Sequence, residues 1–187
     1  LLQTDAGLTI GSSDNGSITL DAVSDSSTDT VGTITLLATK QSKLVTFKTA
    51  ASHFNAGIVV QSLGGIILSE SVTTKNDATD LITGTGTLTV VSGKSLSTTN
   101  RMLTVTADDF DFITTSSVSS GTAMTNVNCY SNGQTIGIGD ATKDFTISGL
   151  EMQLMSFTGL VLGGPVCGSI TVDKLTAVNS NGITEIL

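Results

Sequence analysis

The sequence predicts an all-β chain wound as a right-handed parallel β-helix, a β-solenoid with stacked coils of about 20 residues. Three observations lead there. Short apolar/polar alternations succeed one another roughly every 8–12 residues, with no helical period between them. The composition is one of strands and corners: 55 Ser and Thr, 20 Gly, one Pro, no Trp and only 13% charged residues. And one stretch is written twice, GLTIGSSDNGSITL at Gly7–Leu20 and GLVLGGPVCGSITV at Gly159–Val172.

In that repeat Gly7, Leu8, Gly11, Gly16, Ser17, Ile18 and Thr19 return as Gly159, Leu160, Gly163, Gly168, Ser169, Ile170 and Thr171. Asp21 against Asp173 extends the match, always at an offset of 152 residues. Self-similarity at a fixed offset marks repeat architecture. The expectation is one continuous solenoid over 1–187, with 7–158 forming one tandem module and 159–187 opening the next copy, matched to 7–37. A sandwich or barrel would satisfy the strand spacing alone. The repeat favours a solenoid, whose coils stack without a closed boundary.

In chain order, the runs at 7–10, 16–20 and 32–36 alternate apolar with small polar residues, as half-buried strands do. VSDSSTDT at 23–30 reads as a polar turn or protruding loop. After a strand at 44–47, residues 48–55 read as a short helix or irregular loop. Further strands follow at 57–60, 65–68, 84–90, 101–106, 110–112, 127–129, 134–138 and 144–147, and then across 158–172 and 183–187. The phase of alternation turns inward Leu8, Ile10, Ile18, Ile34, Val45, Phe47, Ile58, Val60, Ile66, Leu68, Leu88, Val90, Leu103, Val105, Phe112, Ile136, Ile138, Phe145, Ile147, Leu160, Leu162, Ile170 and Val172.

The run TIGIG at Thr135–Gly139, followed by Glu151, Leu154, Gly159, Leu160, Gly163 and GSI at Gly168–Ile170, resembles the filamentous-haemagglutinin-like exoproteins. Val45–Phe112, with GIVVQS, GIILSE, GTLTV and LTVTADDFDF in succession, is similar in style to other giant β-helical surface proteins. The shared motifs describe coils and not a ligand site. The resemblance implies a secreted, extracellular stacked-coil shaft.

Charge and composition remove several function classes. A net charge of −8 and the lack of any Lys/Arg cluster argue against nucleic acid. No run of some 18 apolar residues is present to span a membrane as a helix. The chain shows neither an initiator Met nor a signal peptide, which fits a mature piece cut from a longer protein. Asn15-Gly16-Ser17 is a possible N-glycosylation site.

Candidate chemistry is sparse. Asp108, Asp109 and Asp111 form the densest acidic cluster, but alternation sends Asp109 and Asp111 to solvent, as a solvated corner. His53 is the sole His and Arg101 the sole Arg, so neither a zinc site nor a uronate-cleaving carboxylate/cation cluster is legible. The expectation is no enzyme, no metal and no cofactor. Thr33/Thr35, Thr85/Thr87/Thr89 and Thr104/Thr106 could form an outward glycan- or ice-recognising face, though their spacings are irregular. Cys129 and Cys167 lie 38 residues apart. At about 20 residues per coil that is two coils, or roughly 9–10 Å of rise, beyond the roughly 7 Å limit for a bridge. They are expected not to pair.

The functional expectation is a structural extracellular module of a long fibre, filament or adhesin stalk. Its partners are copies of itself, by covalent continuation or head-to-tail stacking through Leu8, Ile10, Ile18, Ile183 and Ile186. O-linked sugars are expected on 23–30 and 114–120.

Overall fold

The computed structural model describes residues 6–187. The chain is an all-β parallel solenoid: every paired strand runs parallel to its neighbour in the next coil. Each coil has three faces. Strands Leu8–Ser12, Ile34–Ala38, Ile58–Ser62, Thr79–Ile82 and Leu103–Ala107 stack on the first face, continued by the second halves of Ser117–Cys129 and Met155–Leu162. Ile18–Asp21, Val45–Lys48, Ile66–Leu68, Thr87–Val90 and Asp109–Phe112 stack on the second. Ser52–Phe54, Val72–Thr74 and Ser95–Ser97 form the third, which runs into the first halves of the two long strands.

Registers give the coil length. Ile34 pairs with Ile58, Val60 with Leu81, Leu81 with Val105 and Val105 with Val127, steps of 24, 21, 24 and 22 residues. Three strands and three corners need slightly more chain than 20 residues. The next coil is far larger, since Val127 pairs with Leu162, 35 residues on. Its extra chain makes the strands Ile136–Gly139 and Phe145–Ser148, which pair in parallel, and a five-residue helix, Gly149–Gln153.

The core is a set of inward columns. Leu36, Val45, Val60, Ile66, Leu88, Leu103, Ile136, Phe145, Ile147 and Leu160 have no exposed surface. Ladder neighbours stack apolar upon apolar, as Ile58 does on Ile34 and Phe110 beside Leu88. Phe145 meets the Phe110 ring edge-on at 4.9 Å. Five of the residues expected inward lie in the outermost coils and are not fully buried. Leu8 and Ile18 are half-buried, while Ile10, Ile170 and Val172 are exposed. Their strands form as alternation predicts, but among the described residues no further coil covers them.

Within 48–55, expected as a short helix or irregular loop, residues 49–51 are an irregular bend and Ser52–Phe54 is a strand, with Phe54 buried. The segment 23–30, expected as a polar turn or protruding loop, is a turn held against the stack. It forms a 3-10 turn at Asp25–Ser27, buries Thr28 and Val31, and caps the third face. His53 N–H donates to the Val23 carbonyl at 2.8 Å, and Asn55 N–H to Thr28 Oγ1 at 2.9 Å.

The two cysteines form a disulfide, with Cα atoms 5.3 Å apart, contrary to the sequence expectation. The difference lies in the period. The 38 residues between them are one enlarged coil and not two ordinary ones, so Cys129 and Cys167 sit on successive levels of the same corner.

Candidate functional site

Two places stand apart from the regular stack: the axial ends and a seam in the second face. Among the described residues, Leu8–Ser12 at the first end pairs only with Ile34–Ala38, and Ile18–Asp21 only with Val45–Lys48. At the other end, Ile170–Asp173 pairs only with Ile136–Gly139, and Ile183–Ile186 only with Phe157–Leu160. Each end of the described stack therefore presents an open parallel strand edge. Unpaired N–H and C=O groups on an edge are a template for another strand. The apolar side chains there are Ile10 at 43% exposure, Ile170 at 44%, Val172 at 57% and Ile186 at 39%. Of the residues expected at a stacking contact, Ile10 and Ile186 face outward, Leu8 and Ile18 are half-covered, and Ile183 is buried at 8%.

The seam lies where Asp109–Phe112 faces Phe145–Ser148. These strands pack together without a backbone ladder between them. Alternation explains the need that results. Ile113 N–H donates back to Val90 and Phe145 N–H to Thr135, so the intervening amides of Phe110, Phe112, Thr146 and Ser148 turn into the gap. Two carboxylates take them. Asp109 accepts from the N–H groups of Phe110 and Thr146. Glu151 accepts from Phe112 N–H, from Ser148 N–H at 2.9 Å and from Ser148 Oγ at 2.8 Å. Glu151 also closes a capping box, its N–H donating to Ser148 Oγ.

Burial pushes both carboxyls above the ordinary carboxylate range, and each feels a like charge: Asp111 on Asp109, and Asp109 on Glu151. Asp109 is thus half-buried and not turned to solvent as expected, with Oδ1 lacking a partner. Asp111 is exposed. Asp108 anchors the next corner, accepting from Ser131 N–H at 2.8 Å and from Ser131 Oγ. An open groove of about 380 Å³ beside Glu151 is lined by Phe112, Thr114, Ser148, Leu150 and Gln153. Among the described residues no three His, Cys, Asp or Glu side chains converge as metal ligands. His53 stands exposed on the third face.

The outward Thr pairs do not make a continuous rank. In the first-face column, Thr9 and Thr35 are followed by Val59, Asp80, Thr104 and Asn126. Many hydroxyls are instead inside, at corners. Thr74 and Thr79 bond each other at 2.7 Å, Thr125 Oγ1 donates to Ser120 at 2.9 Å, and Ser62 Oγ donates to the Gly65 carbonyl at 2.8 Å. A small-residue corner results in which Ala38 stacks on Ser62 and Ala107 on Cys129. These buried hydroxyls argue against a glycan- or ice-binding face. Sequence reasoning misses them because period-two alternation reads Ser and Thr as outward, whereas Thr74, Thr79, Ser120, Thr125 and Ser62 find partners within their own turns.

Asn15 belongs to the first corner. Its Oδ1 accepts from Ser12 N–H and its Nδ2 donates to the Gly16 carbonyl at 2.6 Å. Ser116 and Ser120, within one stretch expected to carry O-linked sugars, are buried, while Thr114 and Thr115 are exposed.

No family model matches this chain, and no curated protein or solved structure matches it either. Parallel strand register and inward apolar columns show the solenoid fold, and no homologue supports the likeness to filamentous-haemagglutinin-like exoproteins.

Proposed function

We propose that this chain is a structural module, a length of the shaft of an extracellular fibre or adhesin stalk, which joins copies of itself along the solenoid axis. The observation that carries the reading is the pair of open, apolar strand edges at the two ends of the described stack. Soluble solenoids otherwise close such ends with polar caps. A contact between two different ends is heterologous and does not close, so it propagates as a filament. The disulfide is the kind of bond that persists in oxidising, extracellular surroundings, which supports a secreted location. The same surroundings would admit sugars on Asn15 or on exposed Ser and Thr.

Sedimentation against concentration tests this. The 19.0 kDa chain should associate without a limiting size, and Ile10→Lys with Val172→Lys should hold it at one chain's mass. A wild-type protein that stays monomeric at millimolar concentration refutes the reading.

A further inference from the structure

The first and last coils are built alike. Leu8 pairs with Ile34 and Leu160 with Ile186, a step of 26 residues in both. Gly11 and Gly163 both take left-handed backbone, φ 97° and 92°. At each, the space of a missing Cβ is met by an isoleucine Cδ1: Ile18 at 2.9 Å and Ile170 at 3.2 Å. Val31 and Ile183, again 152 residues apart, are both 8% exposed. The two coils therefore offer the same surface toward later coils, but among the described residues only the first has a coil on that side. On the first coil, Ile18, Thr19, Leu20 and Asp21 pair with Val45, Thr46, Phe47 and Lys48. On the last, Ile170, Thr171, Val172 and Asp173 have an open edge among the described residues.

We propose that this edge accepts the Val45–Lys48 strand of a second copy, whose own first coil is displaced, so that copies join by exchanging one coil for its repeat. The proposal rests on the end-to-end assembly proposed above and specifies its register. Charge separates exchange from plain stacking at the contact itself. Plain stacking of Ile170–Asp173 on an intact first coil would set Asp173 opposite Asp21, and like charges directly opposite destabilise a strand pair. Exchange sets Asp173 opposite Lys48, as Asp21 is now. Apolar pairs carry over as well, Ile170 to Val45 and Val172 to Phe47. The first coil is the one that leaves, because it covers Val45–Lys48 and is itself thinly covered, with Ile10 exposed and Leu8 and Ile18 half-exposed. Among the described residues of the receiving chain, Ile186 and Leu187 stand where the incoming Ile34 and Thr35 must sit, and both are exposed. The strand pairs given up within each chain and those formed between chains are near equivalents, so the exchange is governed by concentration and by passage through the unfolded state.

The test uses the full chain with Thr46→Cys and Thr171→Cys. Within one chain five second-face strands separate these positions, on the order of 25–30 Å, so a bridge between them is intermolecular. After refolding at high concentration and oxidation, non-reducing gels should show a ladder whose peptide map contains a 46–171 link, with the β-sheet circular dichroism signal retained. A ladder from Thr19→Cys with Thr171→Cys, and none from the 46/171 pair, overturns exchange and leaves end-to-end stacking in place. Monomer from both pairs overturns exchange and the assembly together.

Discussion

Gly86 sets the spacing of two coils, and replacing it measures that spacing. A Cβ built at Gly86 would lie 2.3 Å from the Gly64 carbonyl carbon, 2.4 Å from its oxygen and 2.5 Å from Gly65 N. All three are backbone atoms of the preceding coil, so no rotamer change relieves the contact. Carbon–carbon contact is comfortable only near 3.5–4.0 Å, and the corners would have to part by about 1 Å against ladder bonds on either side. Overpacking of this kind costs about 1–3 kcal/mol. With backbone on both sides, the upper part of that range, about 2–3 kcal/mol, is expected for Gly86→Ala. In a chain of this length that lowers Tm by roughly 4–12 °C, at about 2–4 °C per kcal/mol. Gly16→Ala is the internal control, because nothing lies within 4 Å of its Cβ position and its backbone is not left-handed. It should stay within about 0.5 kcal/mol of wild type. Urea and thermal unfolding followed by far-UV circular dichroism read both. Equal midpoints for Gly86→Ala and Gly16→Ala would refute direct stacking of these two corners.

Further outcomes follow from the seam and the staple. Asp109, Glu151 and Asp80 all have raised carboxyl pKa values, with burial the largest cause. The folded chain then binds more protons than the unfolded one above the ordinary carboxylate range, so stability falls as pH climbs through the raised values. The urea midpoint should be higher at pH 5 than at pH 7.5, with the difference shrinking in Asp109→Asn/Glu151→Gln; a midpoint that rises with pH contradicts the seam as described. Asp144, lowered by its bonds from Thr135, acts in the opposite sense only as pH drops below the ordinary range. Non-reduced native protein should resist alkylation at Cys129 and Cys167, and reduction should cost about 3–4 kcal/mol on chain-entropy grounds for a bridge spanning 38 residues. Labelling of both thiols without reductant would show the pair open. Ser148→Ala removes the cap of the helix Gly149–Gln153 and should cost about 1 kcal/mol in the same melts, and an unchanged midpoint would discount the capping box.

The inward columns are legible because β-strand alternation has a period of two and the chain keeps it at Ile34, Val45, Phe47, Ile58 and Val60. Which coil is outermost is not legible. Ile170 and Val172 carry the same alternation as buried strands and differ only in lacking a neighbour above. The cysteine pair is hidden by the assumption of a uniform coil, and nothing in TIGIGDATKDFTIS announces that two strands share one turn. The helix Gly149–Gln153 does leave a signal, Ser148 with Glu151 three residues on, but five residues are too few to show a helical period. The seam is hidden for a different reason. Sequence shows Asp109 and Glu151 as two acids 42 residues apart, and only the missing ladder between their strands gives them amides to hold.

Electron cryomicroscopy of the concentrated, oxidised chain tests the shaft most directly. The expected result is filaments one solenoid wide, with parallel strands repeating along the axis at about 4.8 Å and the Ile170–Asp173 edge covered by the next copy. Discrete particles of one chain, with Ile10, Ile170 and Val172 still facing solvent at high concentration, would contradict it.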